Sequence, residues 1–265
     1  MSELGSGGCG TVYKAWHIHL GKYVAVKESN CRAPSAALLA RFHEFEALNS
    51  VKSPFLPQVY DYMAEKDLVF TVMEYIEGDS FAALLKSGRR FSPSDIVHWY
   101  SQLATALEDI HRQEVCHRDI KPANIILQPC GDVCLVDFNS AIVRGKSAHN
   151  VSRSPGYASP EQNEIFERVA VIKTRMPKSQ ISQLICNIDW KRSDIYSLGA
   201  SMHHLLTGNR PQGRAEEVAD ISNSGRLSAG LARIISRSMQ PEPSKRFASA
   251  SDLSHALKKI HNLRS

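Results

Sequence analysis

The sequence lacks a long apolar run, and this absence argues against a membrane-spanning helix. No stretch approaches the ~18 consecutive apolar residues that a transmembrane helix needs. The first residues also lack the basic and then apolar order of a secretory signal peptide. We therefore expect a cytoplasmic location and no membrane segment in this chain.

Cysteines are few, and their spacing does not predict a zinc site. None of the six cysteines belongs to a paired C-x-x-C arrangement of the kind that ligates zinc. Reduced thiols are the default state in cytosolic proteins. Cys130 and Cys134 flank a Gly131-Asp132 turn, and we interpret them as hairpin residues rather than as ligands.

A strong excess of one charge is also missing. The 265 residues include 32 basic and 27 acidic side chains, which gives a formal net charge of +5. A nucleic-acid-binding domain would usually concentrate more positive charge, so we expect no nucleic-acid partner. The hydrophobic fraction of 43% is enough to bury a sizeable core in one or two domains.

The strongest chemical signal is a polar segment in the middle of the chain. Residues 117–124 read HRDIKPAN and supply a carboxylate (Asp119), a cation (Lys121) and an amide (Asn124). A second carboxylate, Asp137, follows an apolar segment that resembles a strand. Phosphoryl transfer needs such a set, with one carboxylate to orient a hydroxyl and an amide plus another carboxylate to hold magnesium on nucleotide phosphates.

HRDIKPAN resembles the catalytic loop of the eukaryotic-type, or Hanks-type, protein kinases, and the resemblance extends over nearly the whole chain. It implies that Asp119 orients the acceptor hydroxyl, that Lys121 stabilises charge on the transferred group, and that Asn124 and Asp137 bind Mg²⁺ or Mn²⁺. A lysine two residues after the aspartate is typical of kinases that act on serine and threonine of proteins. Two later motifs, GYASPEQ at 156–162 and SDIYSLGA at 193–200, resemble those of bacterial members most closely.

A glycine-rich segment near the start provides an independent check. Gly5, Gly7 and Gly10 fit the pattern G-x-G-x-x-G, which dinucleotide-binding folds share when a helix follows the last glycine. Here β-branched and aromatic residues follow, so we predict a hairpin whose N–H groups approach phosphate. Lys27 lies on the predicted next strand, where it would reach the α- and β-phosphates.

The resemblance also implies the rest of the nucleotide site. Residues 36–48 carry apolar side chains at helical spacing, and on this predicted helix we prefer Glu44 over Glu46 as the ion-pair partner of Lys27. The segment after the strand 68–73 reads as a hinge that offers backbone groups to adenine, with Met73 as gatekeeper. The expected nucleotide-binding residues are Leu4, Gly5, Gly7, Gly10, Val12, Ala25, Lys27, Met73, Glu74, Ile76 and Ile126.

Three later motifs separate protein kinases from small-molecule kinases of the aminoglycoside type. Glu161 ends an ASPE segment that resembles the close of an activation loop, and Arg246 is expected to pair with it. Asp194, in SDIYSLG, resembles the helix aspartate that braces the catalytic-loop backbone. Ser154 occupies the position from which a hydroxyl contacts both Asp119 and Lys121.

Arg118 places the chain with kinases whose catalytic-loop arginine can meet a phosphorylated activation loop. Ser147 and Ser152 are the candidate acceptors, so we predict autophosphorylation. Exposed loop serines without any role are the alternative reading.

Several residues depart from the family pattern. The first glycine stands at position 5, which predicts a short opening strand, and Cys9 occupies the loop tip where an aromatic is usual. Asn139 replaces the glycine that follows Asp137-Phe138, and we expect it to tolerate a positive φ there. The segment 162–193 is much longer than the family's connection. We predict a solvated basic loop, with a docking surface beside the substrate groove as the alternative.

Two helix starts can be read from capping residues. Ser92, Pro93 and Asp95 form one, and Ser249 with Asp252 forms the other. Together with the motifs, they predict an α+β protein kinase fold with an N-lobe over 1–73, a hinge over 74–78 and a C-lobe over 79–265. ATP would bind between the lobes. A pseudokinase that serves as a nucleotide-binding or scaffolding module is the alternative.

Overall fold

The computed structural model describes residues 1–7, 10–30, 49, 51–66, 68–143, 151–172, 175–212 and 229–262. The helix predicted over 36–48, with Glu44 and Glu46, lies outside the described residues. So do Cys9 and Ser147.

The N-terminal part is one antiparallel sheet. Its strand order is β1-β2-β3-β5-β4. The register pairs Val12 with Lys27 and Ala25 with Met73, so the glycine-rich segment, the lysine and the end of β5 are neighbours on one sheet. The strands are β1 (Ser2–Gly7), β2 (Gly10–His17), β3 (Lys22–Asn30), β4 (Val59–Glu65) and β5 (Leu68–Glu74).

The glycine-rich segment forms the predicted hairpin. Gly7 of β1 pairs with Gly10 of β2, and a strand rather than a helix follows the last glycine. Gly10 has a φ of 133°, and a Cβ there would lie 1.9 Å from the carbonyl oxygen of Glu28. Only glycine fits this close approach between β2 and β3. The dinucleotide-binding alternative is therefore wrong.

Helices dominate the described chain after β5. Three pairs of short strands sit among them: β6 with β8, β8 with β9, and β7 with β10. The helices are α1 (Phe81–Lys86), α2 (Pro93–Arg112), α3 (Pro160–Ile172), α4 (Lys178–Cys186), α5 (Trp190–Thr207), α6 (Ala229–Ser238) and α7 (Ala250–Asn262). The short strands are β6 (Asp79–Ser80), β7 (Val115–Cys116), β8 (Ile125–Leu127), β9 (Val133–Leu135) and β10 (Ile142–Val143).

The main core lies around α2 and α5. Helix α2 buries Tyr100, Leu103 and Leu107 completely, whereas α5 is buried along most of its length. Both predicted helix starts are confirmed. Ser92 and Asp95 form a capping box at α2, and the Ser249 hydroxyl accepts the Asp252 N–H at α7, where such a cap stabilises a helix by about 1 kcal/mol.

The segment 162–193 is not a solvated loop, so that prediction is wrong. It contains most of α3, all of α4 and the start of α5, and these helices bury a second apolar cluster. The cluster joins Ile165, Val169, Ile181, Ile185 and Trp190 to Cys116 and Ile142. Burial of this apolar surface stabilises the helices against the centre of the helical region.

The architecture agrees with the predicted two-lobed α+β fold: a sheet-rich N-terminal part is followed by a mainly helical part. None of the described helices has the length and hydropathy needed to cross a membrane.

Candidate active site

A cleft of about 770 Å³ opens where the N-terminal sheet meets the helical part. Its walls bring together residues from β1, β2, β3, the end of β5 and the loops around β8 and β9. The predicted site residues that the structure describes in full all line it. These are Leu4, Gly5, Gly10, Val12, Ala25, Lys27, Met73, Glu74, Ile76, Asp119, Lys121, Asn124, Ile126, Asp137 and Ser154.

Both carboxylate oxygens of Asp119 are held by side chains. The Ser154 hydroxyl donates to Oδ1 over 2.7 Å, and Lys121 Nζ donates to Oδ2 over 2.7 Å. Lys121 Nζ also donates to the Ser154 oxygen over 3.0 Å. The predicted contact of Ser154 with both side chains is confirmed, and the three groups fix the orientation of the carboxylate within the cleft.

Asn124 is nearly buried at the end of the same loop. Its side-chain nitrogen donates to the backbone oxygen of Asp119 over 2.8 Å and to the Asp119 carboxylate over 3.3 Å. An amide has donors at one end and an acceptor at the other. Because the nitrogen end is engaged by the loop, the oxygen end is the one left to ligate a cation.

Lys27 and Asp137 connect the sheet to the helical part. Lys27 Nζ lies 3.0 Å from Asp137 Oδ1. Burial alone would raise the pKa of the Asp137 carboxyl, but the charge and hydrogen bond of Lys27 lower it below its ordinary value. The backbone N–H of Asn139 acts in the same direction. Asp137 is therefore an ionised carboxylate at neutral pH, as a metal ligand must be.

The catalytic-loop backbone is anchored from behind by one buried carboxylate. Asp194 of α5 accepts the N–H of Arg118 over 2.7 Å at Oδ1 and the N–H of His117 over 2.8 Å at Oδ2. His111 Nε2 lies 2.9 Å from the same Oδ2. The predicted brace is confirmed.

Cys116 stands close enough to His111 and Asp194 to suggest a cation site among the described residues. The carboxylate oxygens are already engaged by N–H groups of the loop and by His111. Burial, followed by the negative charge of Asp194, raises the pKa of the Cys116 thiol far above neutrality. A neutral thiol is a poor metal ligand, so this cluster is structural.

His117 holds the loop against the Asp137 segment. Burial lowers the pKa of His117, so the ring is neutral. Nε2 lies 3.2 Å from the Val136 carbonyl, and the Asp119 N–H donates to Nδ1 over 3.3 Å. A neutral ring protonated on Nε2 satisfies both contacts. The ring packs on Phe138 with centroids 4.6 Å apart.

The sequence analysis did not predict the contacts that hold the described parts of the activation segment, residues 137–143 and 151–161. Gln162, buried in α3, donates to the carbonyls of Arg118 over 2.8 Å and Ser152 over 2.9 Å. Arg118 donates from Nε to the Ser140 carbonyl over 2.5 Å and stacks 4.9 Å from the centroid of Trp190. One feature of the sequence could have indicated this role: Gln162 directly follows Glu161, the last residue of the ASPE segment.

The far end of that segment is fixed by an ion pair. Arg246 bonds both oxygens of Glu161, at 2.6 and 2.8 Å, and its side chain is fully buried. Its remaining N–H groups donate to the carbonyls of Gln240, Arg192 and Pro241. All five guanidinium donors are thus used, and the predicted pair across 85 positions is confirmed.

This geometry suits the in-line transfer of a phosphoryl group from a polyphosphate to a hydroxyl. One end of the cleft offers a carboxylate restrained by a hydroxyl and an ammonium. The other offers an ionised carboxylate, an amide oxygen and a lysine beneath a glycine hairpin. Such a layout can orient a hydroxyl at one end and hold polyphosphate with a divalent cation at the other.

Comparison with known proteins agrees with this geometry. A probable serine/threonine-protein kinase of Streptomyces coelicolor is 33% identical over 220 residues, which cover 78% of this chain and 30% of that protein. The serine/threonine-protein kinase PrkC of Bacillus subtilis is 29% identical, over 80% of this chain and 30% of PrkC. PknL of Mycobacterium tuberculosis is 32% identical, over 80% of this chain and 49% of PknL.

The chain thus spans between about a third and a half of the length of these relatives. The family model described as protein kinase domain matches residues 1–264, which is nearly the whole sequence. This chain therefore belongs to the protein kinase domain family.

Proposed function

We propose that this chain transfers the γ-phosphoryl group of ATP to serine and threonine hydroxyls of proteins. The observation that carries the proposal is the restrained Asp119 carboxylate, which shares one cleft with Lys27, Asn124 and Asp137. The names of the bacterial relatives support the same acceptor class.

In the proposed reaction, the acceptor oxygen forms a bond to the γ-phosphorus as the bond from that phosphorus to its bridging oxygen breaks. ADP leaves with the electron pair, and Asp119 takes the hydroxyl proton. Ser154 aims the carboxylate through Oδ1. Lys121, bonded to Oδ2, offsets negative charge on the transferred group.

Asn124 and Asp137 would hold the divalent cation. An ionised carboxylate and an amide oxygen are hard oxygen ligands of the kind that Mg²⁺ prefers, and Mn²⁺ accepts the same donors. When bound, the cation supplies charge neutralisation for the phosphate oxygens. Lys27, with Glu44 as its proposed second partner, would position the α- and β-phosphates.

We also propose the lobe boundaries 1–73 and 79–265, with the hinge 74–78 contacting adenine. The partners would be ATP and serine- or threonine-bearing proteins rather than nucleic acid, in the cytoplasm. Among the described residues, Cys116, Cys130 and Cys134 form no disulfide, which suits a reducing compartment. The pseudokinase alternative is not favoured, because every residue needed to bind metal and orient a hydroxyl is present.

Radiolabelled ATP with Mg²⁺ tests the activity directly. Wild type should label itself and added protein substrates, and acid hydrolysis of the products should yield phosphoserine and phosphothreonine. Asp119→Asn should lower kcat by several orders of magnitude, because the proton acceptor is lost while the shape of the side chain is kept. Equal labelling by wild type and Asp119→Asn would overturn the proposal.

A further inference from the structure

A second concave surface, the α1 groove, lies beside the active-site cleft. Its volume is about 340 Å³. Helix α1, the catalytic loop and the end of α5 form its walls, through Ala82, Leu85, Lys86, Lys121, Pro122, Ala123, Tyr157, His204 and Gly208. Lys121 and Ala123 line both the groove and the cleft. A peptide whose hydroxyl reached Asp119 would therefore have the groove within a few residues of its acceptor.

The groove wall on the α1 side is basic. Lys86 is the last residue of α1 and is exposed, and Arg90 follows it in an exposed turn. The Arg90 guanidinium lies against Gly208, where a Cβ would meet its Nη1 at 1.7 Å. Gly208 ends α5 in a left-handed conformation, with a φ of 74°. Because Gly208 has no side chain, the Arg90 guanidinium fits against this helix end. Its positive charge therefore lies at the edge of the groove.

Another cation, Arg210, lies beside the opposite wall, next to the lining residue Tyr157. Arg210 stacks 5.1 Å from the Tyr157 ring centroid and donates to the Pro155 carbonyl, so its charge is held beside the acceptor segment. His204 contributes no charge at neutral pH, because burial and then the neighbouring His203 and Arg210 lower its pKa. The Tyr157 hydroxyl lies 2.7 Å from Nδ1 of this neutral ring.

Negative charge is missing from the same surface. None of the described residues that line the α1 groove is acidic. The charge of Lys121 is already balanced by Asp119 at 2.7 Å. Lys86, Arg90 and Arg210 therefore set the local potential, which attracts an anionic segment and repels a cationic one.

We propose that the α1 groove selects protein substrates with aspartate or glutamate close to the acceptor serine or threonine. The inference rests on the proposed kinase function and specifies its substrate class. Lys86 and Arg90 are the specificity-determining residues, and they act on binding rather than on the chemical step. Each exposed charge pair is expected to contribute a factor of about two to five in affinity.

Matched peptides test the preference. Three peptides of equal length would carry one acceptor serine and flanks of glutamate, glutamine or lysine. At low ionic strength we expect kcat/KM for the glutamate peptide to exceed that for the glutamine peptide by about tenfold, with the lysine peptide lowest. The difference should lie in KM and should shrink at 0.5 M salt, because exposed charges are screened.

Two variants assign the effect to the groove. Lys86→Gln with Arg90→Gln should bring the glutamate-to-glutamine ratio close to one and leave kcat on the glutamine peptide unchanged. Lys86→Glu should move the preference toward the lysine peptide. Lys258→Gln with Lys259→Gln, which removes two exposed charges from α7 outside the groove, is the matched control and should keep the wild-type ratio.

Failure of the inference and failure of the kinase proposal give different results. Equal kcat/KM for all three peptides, or a preference for lysine, overturns the acidic preference and leaves the kinase function standing. No labelling of any peptide and no autophosphorylation overturns both. A glutamate peptide with alanine at the acceptor position, labelled with a fluorophore, must also bind wild type more tightly than it binds the double glutamine variant. Equal binding overturns the inference.

Discussion

Arg118 and Asp137 have left-handed backbone conformations, with φ values of 64° and 67°. This conformation costs roughly 1–2 kcal/mol for a residue with a Cβ. Both residues are fixed by strong contacts: the Arg118 N–H bonds Asp194, and the Asp137 carboxylate bonds Lys27. The backbone strain is therefore supported at the two points where the active-site loops turn toward the cleft.

Asn139 does not adopt the positive φ that we expect it to tolerate. Asn139 is not among the described residues with positive φ, whereas Asp137, two residues earlier, is. The backbone N–H of Asn139 helps to lower the pKa of the Asp137 carboxyl, an effect that does not depend on the Asn139 side chain. Its side-chain oxygen is buried and has no hydrogen-bond partner among the described residues.

Asn139→Ala should therefore keep phosphoryl transfer within about tenfold of wild type, because the N–H and the backbone conformation are retained. The melting temperature should stay level or rise, since an unsatisfied buried acceptor costs about 1–3 kcal/mol. Steady-state kinetics and thermal unfolding check both statements. Asn139→Pro removes the N–H and is the contrasting variant, with a large loss of activity. A loss of more than a hundredfold in Asn139→Ala would contradict the prediction.

Arg246 is fully buried and uses all its guanidinium donors, so its replacement should cost much stability. Arg246→Met would leave the Glu161 carboxylate without its partner and three backbone carbonyls without a donor. Removing one member of a buried pair costs about 3–5 kcal/mol, and denaturant unfolding should show a loss of this size. Arg233→Met, at an exposed position on α6, should change the unfolding free energy by no more than about 0.5 kcal/mol. A loss below 1 kcal/mol at Arg246 would show that the pair is dispensable.

Helices α3 and α4 do more than extend the chain between Glu161 and Asp194. Their apolar cluster includes Ile142 at the start of the activation segment, and Val151 packs against it near the end. Arg153 reaches α3 through an ion pair with Glu167 at 2.7 Å and stacks on Phe166 of the same helix. The two ends of the segment therefore rest on one helical support, which positions Ser154 for Asp119.

Loosening this support should affect activity as well as stability. Ile185→Ala removes a fully buried side chain from the cluster and should cost about 2–5 kcal/mol. At temperatures where the protein stays folded, kcat should fall at least tenfold, with KM for ATP nearly unchanged. Leu257→Ala is the matched control, because it opens a similar cavity in α7 against the main core. Equal kcat in the two variants would show that the support from α3 and α4 does not affect catalysis.

The success of the sequence predictions differs from element to element. The capped starts of α2 and α7 were predictable because a cap is a local hydrogen bond between residues three apart. The burial of α3 and α4 was missed because their basic residues suggested solvation. Ile181 and Ile185, four apart on one helix face, carried the opposite signal. Left-handed φ at Arg118 and Asp137 is imposed by tertiary contacts, so no local pattern reveals it.

The cleft joins the two halves of the molecule through few groups. Lys27 of the sheet reaches Asp137 of the helical part, and the residues that we propose for adenine binding, Met73, Glu74 and Ile76, line the same volume. The sequence could predict which residues meet in this cleft because each motif comes from a separate segment with its own recognisable chemistry. A ligand bound across this junction should stabilise the native state as a whole.

ATP with Mg²⁺ should therefore raise the melting temperature of the wild type. The rise should be smaller in Lys27→Met, which loses a phosphate contact, and in Asp137→Asn, which loses a metal ligand. Differential scanning fluorimetry over a range of ATP concentrations measures the shifts. Lys258→Met, at an exposed position on α7, should shift as wild type does. The absence of any shift in the wild type would contradict nucleotide binding in this cleft.

The long separation between Glu161 and Arg246 also has a consequence for biosynthesis. A nascent chain contains the residues of the cleft and the catalytic loop well before Arg246 is added. During that interval the Glu161 carboxylate lacks the guanidinium with which it pairs in the folded protein. Enclosing this charge without its partner is unfavourable, and the end of the activation segment cannot settle until the last part of the helical region emerges from the ribosome. Completion of this end of the activation segment is thereby tied to the synthesis of a residue 85 positions further along the chain.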